Sequence, residues 1–434
     1  MGTAESIRQV AGILVGHMGG GHMGLRPIAV VSATSGTTDQ LIGLGEKAVT
    51  GDEWHGVLEG LVARHAGIID ELGMELDLSH FWEDIERLVA GTSMIGELSL
   101  SARDRLIGFG ERISSEILAA YLNSMDIHGV MAEALDAYNL IFCDNNFSEG
   151  NVDFAKSYAA ISERLGGLLA NGVIPVITGF VAQAENGHYI TLGRGGSDYS
   201  GAIVAAALDA SELQIWTDVD GILSTDPRLV PEAKVLEQLS FNEAGELAYF
   251  GAKVLHPKTI KPAIEKNIPV RILNTFNVDA VGTLITNEAT ESLKSVTYKK
   301  NISIINICSA GMLLAHGFLA RIFEVFEKHG ISVDVVSTSE VSVSLTVDGN
   351  AGEELLNELG KFATITVQEG MAIVCLVGEG IRSNTRVLGD LFSAIAEHDV
   401  SMVSQGASKR NITFLVKAEE APEVVKKTFN TFFK

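Results

Sequence analysis

The sequence predicts an α/β protein in which a large unit with a mainly parallel sheet precedes a tandem pair of small α+β units. Three observations carry that prediction. Continuous apolar runs of strand type alternate with helical stretches through the first two-thirds of the chain. The composition turns polar between Thr286 and Lys300, where Asn287, Glu288, Glu291, Lys294 and Lys299 cluster. Beyond that connector a pattern recurs 69 residues on, so that Phe323-Glu324-Val325-Phe326-Glu327-Lys328-His329 returns as Phe392-Ser393-Ala394-Ile395-Ala396-Glu397-His398.

Arg26 to Ser32 reads as a buried strand entering a loop of small residues. Asn171 to Gly179, Leu213 to Asp218 and Ile268 to Leu273 read the same way, and Tyr189 to Leu192 as a further strand. Asp198 to Leu208 and Asn242 to Ala248 carry helical patterning. Strands that are apolar throughout, separated by helices, belong to parallel sheets covered on both faces. Ligands bind such sheets at the carboxyl ends of the strands. Each copy of the repeat reads strand, loop, helix, strand, strand. Phe323 and Phe326 fall at helical spacing, whereas Val341, Val343 and Leu345 alternate with serines at period two. A doubled α+β unit beside an α/β domain suggests a paired ligand-binding module. The expected domains are 1–287, 300–368 and 369–434.

The chain has 434 residues, with 32 Lys and Arg against 55 Asp and Glu, a net charge of −23. Such an acidic surface repels phosphate backbones and anionic lipid, which argues against nucleic acid or a membrane as the main partner. With 46% hydrophobic and 20% charged residues the chain is not disordered. Cys143, Cys308 and Cys375 are odd in number and far apart, so a reducing, cytoplasmic setting is expected rather than a disulfide framework. No apolar run approaches the ~18 residues of a spanning helix, and the first residues lack a secretory signal pattern.

Four segments carry chemistry. Gly193-Arg194-Gly195-Gly196-Ser197-Asp198-Tyr199 follows a strand and opens a helix. Its glycines admit an anion to the backbone N–H groups at a helix N-terminus, and Arg194 can grip a carboxylate or phosphate with two hydrogen bonds. Asp198 either caps the helix or accepts from an ammonium group. Ser32-Ala33-Thr34-Ser35-Gly36-Thr37-Thr38 ends a strand with small hydroxyl residues, among which Ser32 and Thr38 are candidate donors; Thr37 or Thr38 is also a candidate helix cap. Thr217-Asp218, followed by Asp226-Pro227-Arg228, can hold a ribose and base or simply form turns. Phe250-Gly251-Ala252-Lys253-Val254-Leu255-His256-Pro257 sets a lysine in an apolar segment, where an ammonium needs an anion. Glu111 lies on an amphipathic helix with Leu106, Phe109 and Ile113, and by pattern alone reads as a solvated residue.

In this order the segments resemble the aspartate kinases of the amino acid kinase superfamily, and the repeat resembles tandem ACT domains. The resemblance spans nearly the whole chain. It implies a three-layer amino-acid-kinase-like sandwich that phosphorylates the side-chain carboxylate of L-aspartate with ATP and Mg²⁺, the first step toward lysine, threonine and methionine. It implies that Arg194 binds an aspartate carboxylate, that Glu111 and Asp198 face its amino group, and that Thr38 holds another oxygen. Ser32 and Lys253 would contact phosphate, Gly195 and Gly196 would line the phosphate path, and Thr217, Asp218, Asp226 and Arg228 would hold the nucleoside. No residue is assigned as a metal ligand.

The first small unit resembles the lysine-inhibited branch, which implies an effector site of Met312, Gly317, Phe318, Leu319, Ser332, Val333, Asp334, Ser339 and Glu340. Leu314 stands where that branch usually has histidine. The family also begins with a strand and a Lys-Phe-Gly-Gly-Thr-Ser loop. Met1 to Ile7 matches the helix after that loop, so we expect Met1 to be an internal methionine of a longer chain. The Gly16 to Gly24 stretch is longer than the family's loop at this point and reads as a flexible surface loop. The resemblance implies a homodimer or higher oligomer through the ACT units. A second reading is an amino-acid sensor of the same build without phosphoryl transfer.

Overall fold

The computed structural model describes residues 1–19, 26–125, 127, 129–250, 258–288, 290, 292–309, 312 and 316–434. In chain order the helices are α1 (Ala4–Gly19), α2 (Thr37–Thr50), α3 (His55–Leu72), α4 (Ser79–Ile95), α5 (Leu100–Ile107), α6 (Phe109–Ser124), α7 (Phe154–Ala170), α8 (Gly196–Ala207), α9 (Phe241–Tyr249), α10 (Lys261–Glu265), α11 (Phe318–Lys328), α12 (Glu353–Leu359), α13 (Thr385–Ala394) and α14 (Ala421–Phe433). The strands are β1 (Ala29–Val31), β2 (Met131–Leu135), β3 (Phe142–Cys143), β4 (Val173–Thr178), β5 (Val181–Ala184), β6 (Tyr189–Thr191), β7 (Leu213–Thr217), β8 (Gln238–Ser240), β9 (Val270–Asn274), β10 (Thr283–Thr286), β11 (Leu293–Cys308), β12 (Val336–Thr338), β13 (Ser342–Asp348), β14 (Thr364–Gly378), β15 (Met402–Gln405) and β16 (Asn411–Lys417).

Two compact units result, 1–220 with 256–286, and 221–255 with 287–434. The expected boundary placed 221–255 in the first unit. The structure packs this segment with the repeats, because Val296 N–H donates to Ser224 C=O and Val230 joins the core of the second repeat.

In the first unit β4 is central, with β1 and β2 parallel on either side. Its side chains alternate: Ile174 and Val176 enter the core shared with α1 to α6, while Val173 and Ile177 enter the one shared with α7 and α8. This is the three-layer sandwich that the apolar strands predicted. The sheet is not continuous: β3, β5 and β6 hydrogen-bond as a separate group, and β7 pairs with β9 in parallel.

The second unit is built on one antiparallel sheet ordered β12-β13-β11-β14-β16-β15. The repeat offset is visible in β13 and β16, since Ser342–Asp348 maps onto Asn411–Lys417 residue for residue. Each repeat carries one helix more than the expected pattern, α12 in the first and α14 in the second. The repeats also share their sheet. Val296 at the start of β11 lies in the second repeat's core, and Ile305 and Ile307 of the same strand lie in the first.

Candidate active site

β1 and β4 end side by side, and the Gly179 N–H just past β4 donates to Val31 C=O at 2.8 Å. Two loops therefore leave neighbouring strands at one edge of the sheet. One is 32–36, running into α2; the other is Gly179-Phe180, against which α8 begins. Phe180 has φ 67, a left-handed conformation that a bulky residue holds only under constraint. The constraint is present: Phe180 N–H donates to Ser200 Oγ at 3.0 Å, and Leu192 N–H donates to Phe180 C=O at 2.9 Å.

The glycine-rich segment opens α8 as expected. Gly195 is its N-cap at φ 69, and no side chain caps the helix. Asp198 is thus not a cap. Burial pushes its carboxyl up to about 6. Gly196 is required by close approach, because a Cβ there would stand 2.6 Å from Phe180 Cδ2 and 3.2 Å from Phe180 Cα. Arg194 is exposed and makes no ion pair among the described residues. Ser32 is exposed and Thr38 half-buried. Neither Thr37 nor Thr38 caps α2, whose N-cap is Gly36 with φ 77.

Glu111 overturns its solvated reading, being only 4% exposed. The helical pattern misleads here because α6 is covered on every side of its first turns: Phe109, Gly110, Ile113, Ser114 and Ser115 are buried with it. The Ala33 N–H donates to Glu111 Oε1 at 3.2 Å. Among the described residues, Oε2 has no partner, and neither has Ser114 Oγ one turn on. The adjacent cation Arg112 is turned to Asp136, 3.0 Å away. Burial pushes the Glu111 carboxyl up to about 7, against the opposing pull of the Ala33 amide. A buried carboxylate with one empty oxygen suits a cationic ligand group.

Sequence reasoning missed Asp104, which is fully buried within α5. It accepts from Ser148 N–H at 2.7 Å, Ser148 Oγ at 3.1 Å and Thr191 N–H at 3.0 Å. It thereby holds Ser148 at φ 73, beneath the first glycine of the loop. The available signal was an acidic residue seven positions before Glu111.

At the end of β7, Thr217 Oγ1 donates to Asp218 Oδ1 at 3.2 Å and Thr217 C=O accepts from Thr275 N–H at 2.8 Å. Asp226 and Arg228 lie in the other unit and are engaged with each other. Arg228 donates from N, Nε and Nη2 at 2.9, 3.0 and 2.8 Å, which holds the Asp226 carboxyl below its ordinary range. Lys253, with the Gly251 to Pro257 segment and residues 20–25, lies outside the described residues, whereas Gly16 to Gly19, expected as part of a loop, close α1.

The candidate effector residues gather at the first repeat. Met312, Phe318 and Val333 pack on its core, Gly317 is the N-cap of α11, and Leu319, Ser332 and Glu340 are exposed. Ser339 Oγ bonds Ser342 Oγ at 2.7 Å within a turn. Asp334 is not free. It accepts from Tyr249 Oη of α9 at 2.5 Å and from Lys299 Nζ at 3.3 Å. No helix among the described residues is long and apolar enough to cross a membrane. Cys143, Cys308 and Cys375 are unpaired.

Comparison with known proteins agrees with this architecture. The profile described as "Amino acid kinase family" matches residues 1–274, and one described as "ACT domain" matches 305–361 and 374–432. Aspartokinase 1, chloroplastic, of Arabidopsis thaliana is 39% identical over 94% of this chain and 75% of its own length. The crystal structure of E. coli aspartokinase III in complex with aspartate and ADP (R-state) superposes with TM-score 0.85 at 31% identity, covering 100% of this chain and 97% of that one. The same enzyme in complex with lysine and aspartate (T-state) gives 0.79 at 32% identity, over 99% and 96%.

Proposed function

This chain belongs to the amino acid kinase family and to its aspartokinases, and on that premise we propose that it moves the γ-phosphoryl group of ATP onto the side-chain carboxylate of L-aspartate. The products are ADP and 4-phospho-L-aspartate, an intermediate toward lysine, threonine and methionine. ATP enters as its Mg²⁺ complex, and the ion shields the phosphate charge. The observation that supports the reading is Glu111, a buried carboxylate whose Oε2 has no hydrogen-bond partner among the described residues and so suits the substrate's ammonium group.

The attacking carboxylate is already ionised near neutral pH, so no general base is needed. The barrier is the approach of two anions in line, which positioning and cationic or N–H donors lower. Arg194 takes an aspartate carboxylate, Glu111 and Asp198 take the ammonium group, and Thr38 takes a further oxygen. Ser32, Lys253 and the amides around Gly195 and Gly196 receive the phosphates. Thr217 and Asp218 hold the nucleoside. The uncapped start of α8 supports the phosphate assignment, since its N–H groups meet no side-chain acceptor. Asp226 and Arg228 are proposed to complete the nucleoside site.

We propose lysine as a feedback inhibitor bound at the first repeat, in an enzyme that dimerises through its ACT units. Asp334 supports this reading, because it already receives one ammonium group, that of Lys299.

The test is ADP release with aspartate, glutamate and a nucleoside monophosphate as acceptors. Aspartate-dependent release that falls on adding lysine is the expected result. Release with another acceptor and none with aspartate would refute the reading, and lysine binding without any release would favour the sensor.

A further inference from the structure

The loop that presents Ser32 and Thr38 is tied to a histidine that the reaction does not use. Thr34 Oγ1 lies 2.6 Å from Thr37 Oγ1 and 2.9 Å from His65 Nε2. His65 Nδ1 lies 2.8 Å from the Leu61 carbonyl oxygen, one turn back on α3. His65 is wholly buried, and Thr34 and Thr37 are nearly so.

The direction of this chain follows from what each group can do. The Leu61 carbonyl only accepts, so Nδ1 carries the hydrogen. Burial holds the His65 pKa below its ordinary value, so the ring is neutral and Nε2 is an acceptor. Thr34 Oγ1 must then donate to Nε2, and Thr37 Oγ1 must donate to Thr34 Oγ1. Trp82 of α4 packs against the ring at 5.3 Å and keeps it from turning. The chain ends at the backbone that matters: Ala33, beside Thr34, gives its N–H to Glu111, and Thr37 precedes Thr38 at the start of α2.

We propose that His65 is a positioning residue for the substrate loop, setting through Thr34 and Thr37 where the Ala33 amide meets Glu111 and where Thr38 stands. The inference rests on the aspartate reading for its kinetic consequence, though not for its effect on the loop. The role belongs to Nε2, and two variants separate it from simple filling of the core. His65→Gln places an amide group where Nε2 was, and His65→Asn keeps only the Nδ1 side.

The experiment is hydrogen–deuterium exchange of the peptide spanning 32–38, together with steady-state kinetics, on the full chain and both variants. Thr34→Val breaks the chain from its other end. The expected result is that His65→Asn and Thr34→Val speed exchange of this peptide and raise the aspartate KM, each by about tenfold. His65→Gln stays near the parent on both counts. Equal behaviour of the Gln and Asn variants, or parental exchange in Thr34→Val, would overturn the proposal. Should the parent prove unable to phosphorylate aspartate while the variants still differ in exchange, the substrate reading fails and the positioning role stands.

Discussion

Glu111 shows most directly how burial becomes function. Removing a carboxylate from water costs several kcal/mol unless a cation meets it, and among the described residues one Glu111 oxygen meets no donor. Its folded pKa of about 7 stands above the 4.5 of a free glutamate, so the folded state holds the proton more tightly than the unfolded chain. That contribution to stability is complete below about 4.5 and is lost as pH rises through about 7, amounting to roughly 3 kcal/mol at most. The ligand-free protein is therefore expected to lose melting temperature across this window, and Glu111→Gln to remove that part of the slope, read by calorimetry at a series of pH values. Aspartate binding should run the other way, strengthening over the same window as the carboxylate ionises. Glu111→Gln should raise the aspartate KM by roughly 10- to 100-fold with little change for ATP, the cost of leaving an ammonium group without its counter-charge. Arg194→Ala should raise the aspartate KM by a similar factor. If Lys253 meets the transferring phosphoryl group as proposed, Lys253→Ala should instead lower kcat by roughly a few hundred-fold, the cost of a lost charge in the transition state. Normal kinetics in both of these variants would sink the site assignment.

At the scale of elements, two contacts decide how the loops are held. The first is α8 against the loop after β4. Gly196→Ala would drive a methyl group into Phe180, whose backbone already sits at φ 67. A loss of about 1–3 kcal/mol is expected, read as a lower urea midpoint at unchanged slope. The second is α9, which leads into the segment that bears Lys253. Ser240 and Glu243 form a capping box at its start, and its other end is pinned by side chains. Glu246 accepts from Ser408 Oγ at 2.7 Å and Asn411 Nδ2 at 2.6 Å in the second repeat, while Tyr249 bonds Asp334 in the first. An effector ammonium that claims Asp334 must compete with Tyr249. Tyr249→Phe is therefore expected to tighten lysine binding by up to about tenfold and to blunt the maximal inhibition, measured by titration calorimetry alongside turnover. Unchanged lysine affinity would show that Asp334 does not touch the effector.

Across the whole molecule, regulation has to obey linkage. If lysine weakens aspartate binding by some factor, aspartate must weaken lysine binding by the same factor. Paired titrations, each ligand in the presence and absence of the other, are expected to return equal ratios. A flat activity curve with lysine in large excess would remove the feedback proposal. The grouping of 221–255 with the ACT repeats gives this coupling a covalent route. The chain leaves the first unit after Asp220, passes through α9 within the second, and is back in the first by α10.

The alternation of apolar strands with helices, the polar break near Thr286 and the 69-residue repeat from His329 to His398 were enough to determine the architecture, because period and composition act locally. The glycine loop was legible for the same reason: Gly195 meets a positive φ that its own backbone demands. Glu111, Asp104 and His65 were not legible as buried groups. Whether a polar side chain on a helix faces water depends on what lies over it, and α6 is covered by elements far away in sequence. Likewise the ion pair between Asp226 and Arg228 was not legible, since the sequence left them as ligand contacts or turn formers. The sequence alone determined the fold class, the doubled second unit and the glycine turn that opens α8. Only the tertiary structure decided which carboxylates lose their water, because burial depends on what packs over a side chain, and that loss of solvent is what raises the Glu111 pKa.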